Sequence, residues 1–148
     1  MFDPYLIGLL IGDGTYGGTP VLTNCDEDVL SYVTNKYKCT EHVKPRYTKD
    51  GRILRNISIL GIRDELRNIG IYGQTKLKKR LPDCIFSSRE SDCCELLAGL
   101  IDTDGNVSIR KGTGNRMPYT VVLISTVCLE MAKQIRDLYQ KLGIHASI

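Results

Sequence analysis

The chain lacks the residue spacing of a closed cysteine–histidine metal centre or a dithiol redox centre. None of its six cysteines (Cys25, Cys39, Cys84, Cys93, Cys94, Cys128) forms a C-x-x-C pair, and its two histidines are isolated. Cys93 and Cys94 are adjacent, a poor arrangement for an ordinary disulfide. The six read as reduced thiols, mostly in the core of an intracellular protein. No basic segment followed by a long apolar stretch opens the chain. The longest apolar runs, such as residues 5–11, fall far short of the ~20 residues needed to span a bilayer. No membrane association and a soluble, intracellular location are therefore expected. A strong charge bias is also missing. The net charge of +3 and pI near 8.5 permit a polyanionic partner without announcing one.

What is present suffices for a real core. With 148 residues, 42% hydrophobic and 25% charged, the chain can form one domain or two small halves sharing a core. It carries an internal near-repeat. Residues 6–14 read LIGLLIGDG and residues 97–105 read LAGLIDTDG. Both are leucine-rich, with glycine at the third position and Asp-Gly at the end, which suggests duplication. Each is followed by β-prone runs around a glycine-rich turn, then an amphipathic helix. The first of these helices is DEDVLSYVTNKYK. The second is CLEMAKQIRDLYQKLG, with Leu129, Ala132, Ile135, Leu138 and Leu142 on one face and Gly143 as a C-cap. The first half continues with EHVKPRYTKDGRILRNISILG, a hairpin around Lys49-Asp50-Gly51, and a short helix IRDELRNIG. The second half stops at His145-Ala146-Ser147-Ile148, so it reads as truncated.

Gly8 and Gly12 lie on one face of the first motif helix, and Ala98, Gly99 and Thr103 offer a similar strip on the second. Small residues four apart allow closer approach than the usual 8–10 Å between helix axes. Glycine inside a helix costs about 0.5–1 kcal/mol, so a compensating contact is expected, each helix packing on the other. That pairing brings Asp13 beside Asp104, with Gly14 and Gly105 as left-handed residues turning the chain away. Two carboxylates at adjacent helix C-termini repel each other and meet unfavourable dipoles. A divalent cation such as Mg²⁺ would resolve both, with substrate phosphates and water completing its shell. Either carboxylate alone would be an ordinary polar stop before glycine. Two at equivalent repeat positions favour the functional reading.

LIGLLIGDG and LLAGLIDTDG resemble the two motifs of single-chain LAGLIDADG homing endonucleases. The second differs from the naming sequence only by Thr103 for alanine, and the first looks like the divergent first motif of endonucleases embedded in inteins. KKRLPDCIF, with Lys79 and Pro82, resembles the lysine–proline block of inteins. The resemblance implies an α+β fold of two pseudo-symmetric αββαββα repeats, with motif helices at the interface and antiparallel DNA-binding sheets. It divides the chain into a first repeat (1–75), a basic linker with the lysine–proline block (76–95), and an incomplete second repeat (96–148). By similarity, Asp13 and Asp104 would bind Mg²⁺ and Lys79 would assist at the scissile phosphate. Both strands of a long duplex site would be hydrolysed, leaving short 3′ overhangs. Lys79 lies in the run KLKKR, which also suits a solvated face or a nonspecific phosphate contact.

Contacts to double-stranded DNA are expected from the strands. Lys44, Arg46, Lys49, Arg52 and Arg55 crowd the first-half hairpin, with Lys44 and Arg46 on one face by alternation. Arg110, Lys111 and Arg116 crowd the tip of the second. The chain opens on Met1-Phe2 and ends on Ser147-Ile148, not on the nucleophile and His-Asn of a splicing element, so splicing by this chain alone is not expected. A companion chain completing the second repeat, or self-association through an open edge, is a further expectation. A non-catalytic nucleic-acid-binding relative (an RNA maturase or DNA-binding regulator) and an inactive fragment are the alternatives.

Overall fold

The computed structural model describes residues 3–112, 114 and 117–148, with residues 43–45 described by backbone alone. Two motif helices, α1 (Pro4–Asp13) and α4 (Glu90–Asp104), form its centre. Helix α1 starts where the Asp3 side chain caps it, accepting from Leu6 N at 3.1 Å, with proline at the first helical position. Asp3 also accepts from the Tyr32 and Tyr37 hydroxyls and pairs with Lys36 at 2.8 Å. These bonds pin the start of α1 to α2 (Glu27–Lys36).

The expected glycine contact between the motif helices is present. A Cβ on Gly8 would lie 2.2 Å from the Leu96 carbonyl oxygen, and one on Gly99 would lie 2.3 Å from that of Tyr5. Gly12 faces Thr103, whose hydroxyl donates back to Gly99 O at 2.9 Å. Backbone thus meets backbone, and Leu6, Leu9, Leu10, Leu96, Leu97 and Leu100 bury their side chains around the contact. Tyr5, in the first turn of α1, donates to Asp102 in the last turn of α4 at 2.7 Å.

Gly14 and Gly105 are not left-handed, contrary to the sequence expectation. Their φ values are −95° and −96°, and both are extended. Each helix passes directly into a strand that folds back on its last turn. A Cβ on Gly14 or Gly105 would lie 2.4 Å from the carbonyl oxygen of Leu10 or Ile101. Crowding, not φ, therefore demands glycine at both places.

Four strands form the first sheet: β1 (Gly14–Thr15), β2 (Val21–Asn24), β3 (Cys39–Tyr47) and β4 (Ile53–Ile59). They are antiparallel in the order β1-β2-β4-β3. The predicted turn joins β3 to β4, with Gly51 at φ +84°. Short helix α3 (Arg63–Asn68) follows, so residues 4–68 run α-β-β-α-β-β-α. Leu22, Ile57 and Ile59 line the core face of this sheet and are fully buried. After α4 come β5 (Gly105–Arg110), β6 (Tyr119–Ile124) and α5 (Leu129–Lys141), with β5 and β6 making a separate two-stranded sheet. Among the described residues no helix is long and apolar enough to cross a membrane.

Other expectations need correction. The buried face of α5 is Met131, Ile135 and Leu138, whereas Leu129 is 60% exposed. Positions 131, 135 and 138 repeat at helical spacing, and 129 falls about 200° away from 131. The cysteines are not mostly in the core: Cys93 and Cys128 are buried, Cys25 and Cys39 half-buried, Cys84 and Cys94 exposed, and all six are free. Nothing contradicts the division at 76–95, and residues 76–89 within it have local structure. They form two 3-10 turns, Lys76–Lys78 and Asp83–Ser87, and Leu81 and Ile85 enter the core.

Candidate metal and phosphate site

Asp13 and Asp104 are the last residues of α1 and α4, and both line one cleft of about 650 Å³. The glycine contact between the helices delivers them there together. Burial raises the pKa of both carboxyls above the ordinary aspartate value, and the negative charge of Asp104 raises Asp13 further. Lys79 opposes both shifts, and Lys76 opposes that of Asp104.

Lys79 enters the same cleft from the residue after the first 3-10 turn. Its ammonium donates to the carbonyls of Ile11 (2.6 Å), Gly12 (2.9 Å) and Gly14 (3.2 Å). These are orphan acceptors at the C-terminus of α1, so the cation complements the helix dipole. The nitrogen also stands 5.7 Å from the centre of the Tyr16 ring. Burial nevertheless depresses the Lys79 pKa, against the pull of Asp104 and Asp13. Tyr16 is 1% exposed, and its hydroxyl has no hydrogen-bond partner among the described residues.

Asn24 was not singled out from the sequence, yet it touches the site. Its Nδ2 donates to Asp13 Oδ2 at 2.8 Å. Its Oδ1 accepts from Cys25 N and Asp26 N, both at 2.7 Å, which fixes the amide with Nδ2 toward Asp13. In the second half Thr126 stands likewise two residues before a helix N-cap, but its hydroxyl accepts from Cys128 N at 3.1 Å. Asp104 has no side-chain hydrogen bond among the described residues. Asn24 carried a sequence signal only for a helix start. Its reach to Asp13 depends on the β1–β2 pairing, in which Gly14 faces Leu22.

The basic residues expected to meet DNA lie away from the cleft. Lys44 and Arg46 belong to β3, where the register shifts between His42 and Arg46, so regular alternation does not run through that stretch. The Lys44 side chain lies outside the described residues. Arg46 stands opposite Leu54 and is exposed. Lys49 and Arg52 occupy the turn, with Arg52 paired to Asp50 at 2.8 Å. Arg55 reaches Glu41 at 2.6 Å and Glu27 at 3.1 Å, so its guanidinium is engaged on the protein's own carboxylates. Arg110 ends β5 opposite Tyr119, and Lys111 follows in the loop. Arg116 lies outside the described residues.

No group of three or more His, Cys, Asp or Glu side chains gathers as a metal cage among the described residues. Residues 92–148 match the family model of the LAGLIDADG-like domain. The chain thus contains a partial domain of that kind, including α4 and Asp104, with Asp13 and Lys79 outside the match. Two curated proteins are also similar over 97% of this chain. It is 28% identical over 157 residues to the replicative DNA helicase DnaB of Rhodothermus marinus, and 26% identical over 152 residues to a DNA polymerase of Thermococcus hydrothermalis. The chain spans only 16% and 9% of the length of these two relatives.

Proposed function

We propose that this chain is a Mg²⁺-dependent, site-specific double-strand DNA endonuclease domain of the LAGLIDADG homing type, derived from an intein. The observation that carries the reading is the meeting of Asp13, Asp104 and Lys79 in one cleft at the ends of two glycine-packed helices. The two relatives support an insert. A helicase and a polymerase each match nearly all of this chain over a small part of their own length.

The donor set suits a hard cation. Two carboxylates whose charge is unfavourable in place, opening on a cleft with room for water and phosphate, are what Mg²⁺ shares with a substrate. Asp13 and Asp104 would hold it, and a bound ion would supply water activation and stabilisation of a leaving oxygen. Asn24 orients the Asp13 carboxylate through Nδ2, as outer hydrogen bonds orient metal ligands. Lys79, held on the α1 carbonyls, presents positive charge where a scissile phosphate would lie.

Residues 1–75 and 96–148 would be the two related repeats, joined by 76–95. Lys44, Arg46, Lys49, Arg52, Arg110, Lys111 and Arg116 would meet phosphates and groove edges along the sheets, with Arg55 bracing β4 to β3 and α2 instead. Among the described residues the outer edge of β6 is unpaired, whereas the corresponding edge of β2 carries β4. An antiparallel strand from a companion chain or a second copy would complete it.

The test is incubation with a randomised duplex pool and Mg²⁺, followed by sequencing of the ends produced. Double-strand ends at one recurring sequence are expected. Asp13→Asn or Asp104→Asn should abolish them while DNA retention persists. Cutting at the normal rate by Asp104→Asn would sink the metal assignment, and duplex retention without any cutting would favour the regulator alternative.

A further inference from the structure

Across its middle, the outer face of the first sheet carries polar side chains but no Asp, Glu, Lys or Arg. Thr23, Asn56 and His42 lie side by side in one row over β2, β4 and β3, and the next row is Val21, the buried Ser58 and Thr40. Alternation sets both rows opposite the core-facing Leu22, Ile57 and Ile59. Two hydrogen bonds organise the patch. Thr23 Oγ1 donates to Asn56 Oδ1 at 2.7 Å, and His42 Nε2 lies 2.7 Å from Ser58 Oγ. Toward the hairpin tip the same face continues into Arg46, opposite Leu54, with Lys49 and Arg52 in the turn.

Cationic side chains secure the phosphate backbone, and hydrogen-bonding groups read base edges. The tip therefore suits the backbone, and the rows without Lys or Arg suit the floor of a groove. We propose that the Thr23–Asn56 pair reads one base pair of duplex DNA in the major groove, and that it selects guanine. This rests on the DNA reading above and names how the same chain recognises its site. An unconstrained asparagine favours adenine, accepting from N6 and donating to N7. Here the Thr23 hydroxyl takes one of the two acceptor sites of Oδ1 and fixes the amide, so the unengaged Nδ2 donors are the groups it offers most fully. Guanine presents two acceptors, N7 and O6, and no donor beside them. The pair is ordered before binding, which reduces the entropy lost on contact.

The experiment is selection of bound sequences from a randomised duplex pool, using the whole chain with EDTA to prevent cutting. Wild type should show a guanine preference that Asn56→Ala flattens by roughly 5- to 150-fold. Thr23→Val keeps a β-branched side chain in β2 but frees Oδ1, and it should move the preference at that same position toward adenine. A merely structural role would move no base preference. Neither variant should alter the slope of affinity against salt, whereas Lys49→Ala should lower it by about one without changing base choice. Unchanged preferences at every position in both variants would overturn the assignment while leaving DNA binding intact. Wild type that retains no duplex, or retains it without preference, would overturn the DNA reading itself, and this inference with it.

Discussion

In the first sheet β2 has a neighbour on each side, and its Leu22 packs with Ile57 in the core. In the second, among the described residues, β6 has β5 on one side only, and Val107, Ile109 and Val122 remain 56%, 76% and 41% exposed. Both hairpins leave a motif helix that ends on aspartate, through a glycine in extended conformation. Gly14 faces Leu22 in one, and Gly105 faces Ile124 in the other. Local exit geometry is therefore shared, while burial is not. An apolar strand residue becomes core only when a further strand or helix covers it. The same asymmetry extends to the carboxylates: Asn24 braces Asp13, and no side chain among the described residues braces Asp104.

The comparison breaks most visibly in stability. Ile57→Ala should cost about 2–5 kcal/mol, the range for a large-to-small change at a buried site, measured by urea unfolding. Gly99→Ala should cost about 1–3 kcal/mol, because its methyl would strike the Tyr5 carbonyl and the helix backbones must separate. The same variant should also lose cutting as Asp13 and Asp104 move apart. Asn24→Ala should weaken metal affinity about 10- to 100-fold by titration calorimetry, as loss of an outer-shell partner does, while Thr126→Ala should leave it nearly unchanged. Equal effects of these two would erase the difference between the carboxylates.

Acidity gives a further effect, with its sign fixed by linkage. The folded-state pKa values of Asp13 and Asp104 are raised, so the folded state holds protons that the unfolded state has released. The pair therefore destabilises the metal-free fold at neutral pH, and that cost disappears as pH falls through the raised values. The Asp13→Asn/Asp104→Asn double variant should be more stable than wild type at pH 7 without metal. Its advantage should shrink toward acid in melts taken across pH, and Mg²⁺ should stabilise wild type alone. Asp3 opposes this trend within the same molecule. Burial raises its pKa, but the bonds from Lys36, Tyr37, Leu6 and Tyr32 together outweigh that and leave it lowered. The difference between variant and wild type is thus the quantity to follow. Smallest of all, Val107→Thr and Ile109→Thr should change stability by no more than about 0.5 kcal/mol, as surface substitutions do. Light scattering should nevertheless show less self-association if that face and edge find a partner.

The sequence by itself determined the helix and hairpin order, because periodicity, caps and turn glycines act over a few residues. It also determined that Asp13 and Asp104 would meet, because small residues at helical spacing carry a packing instruction that both motifs repeat. It placed Lys79 among the candidates, but its seat on the α1 carbonyls comes from contacts more than sixty residues apart in the chain. Tertiary structure alone decided that Asn24 orients Asp13, that Arg55 is engaged by Glu27 and Glu41, and that Gly14 and Gly105 are required by crowding and not by φ. It alone decided which apolar strands are covered. Each of these depends on which distant atoms share a volume, and pairing register and helix packing set that only when the whole chain is in place.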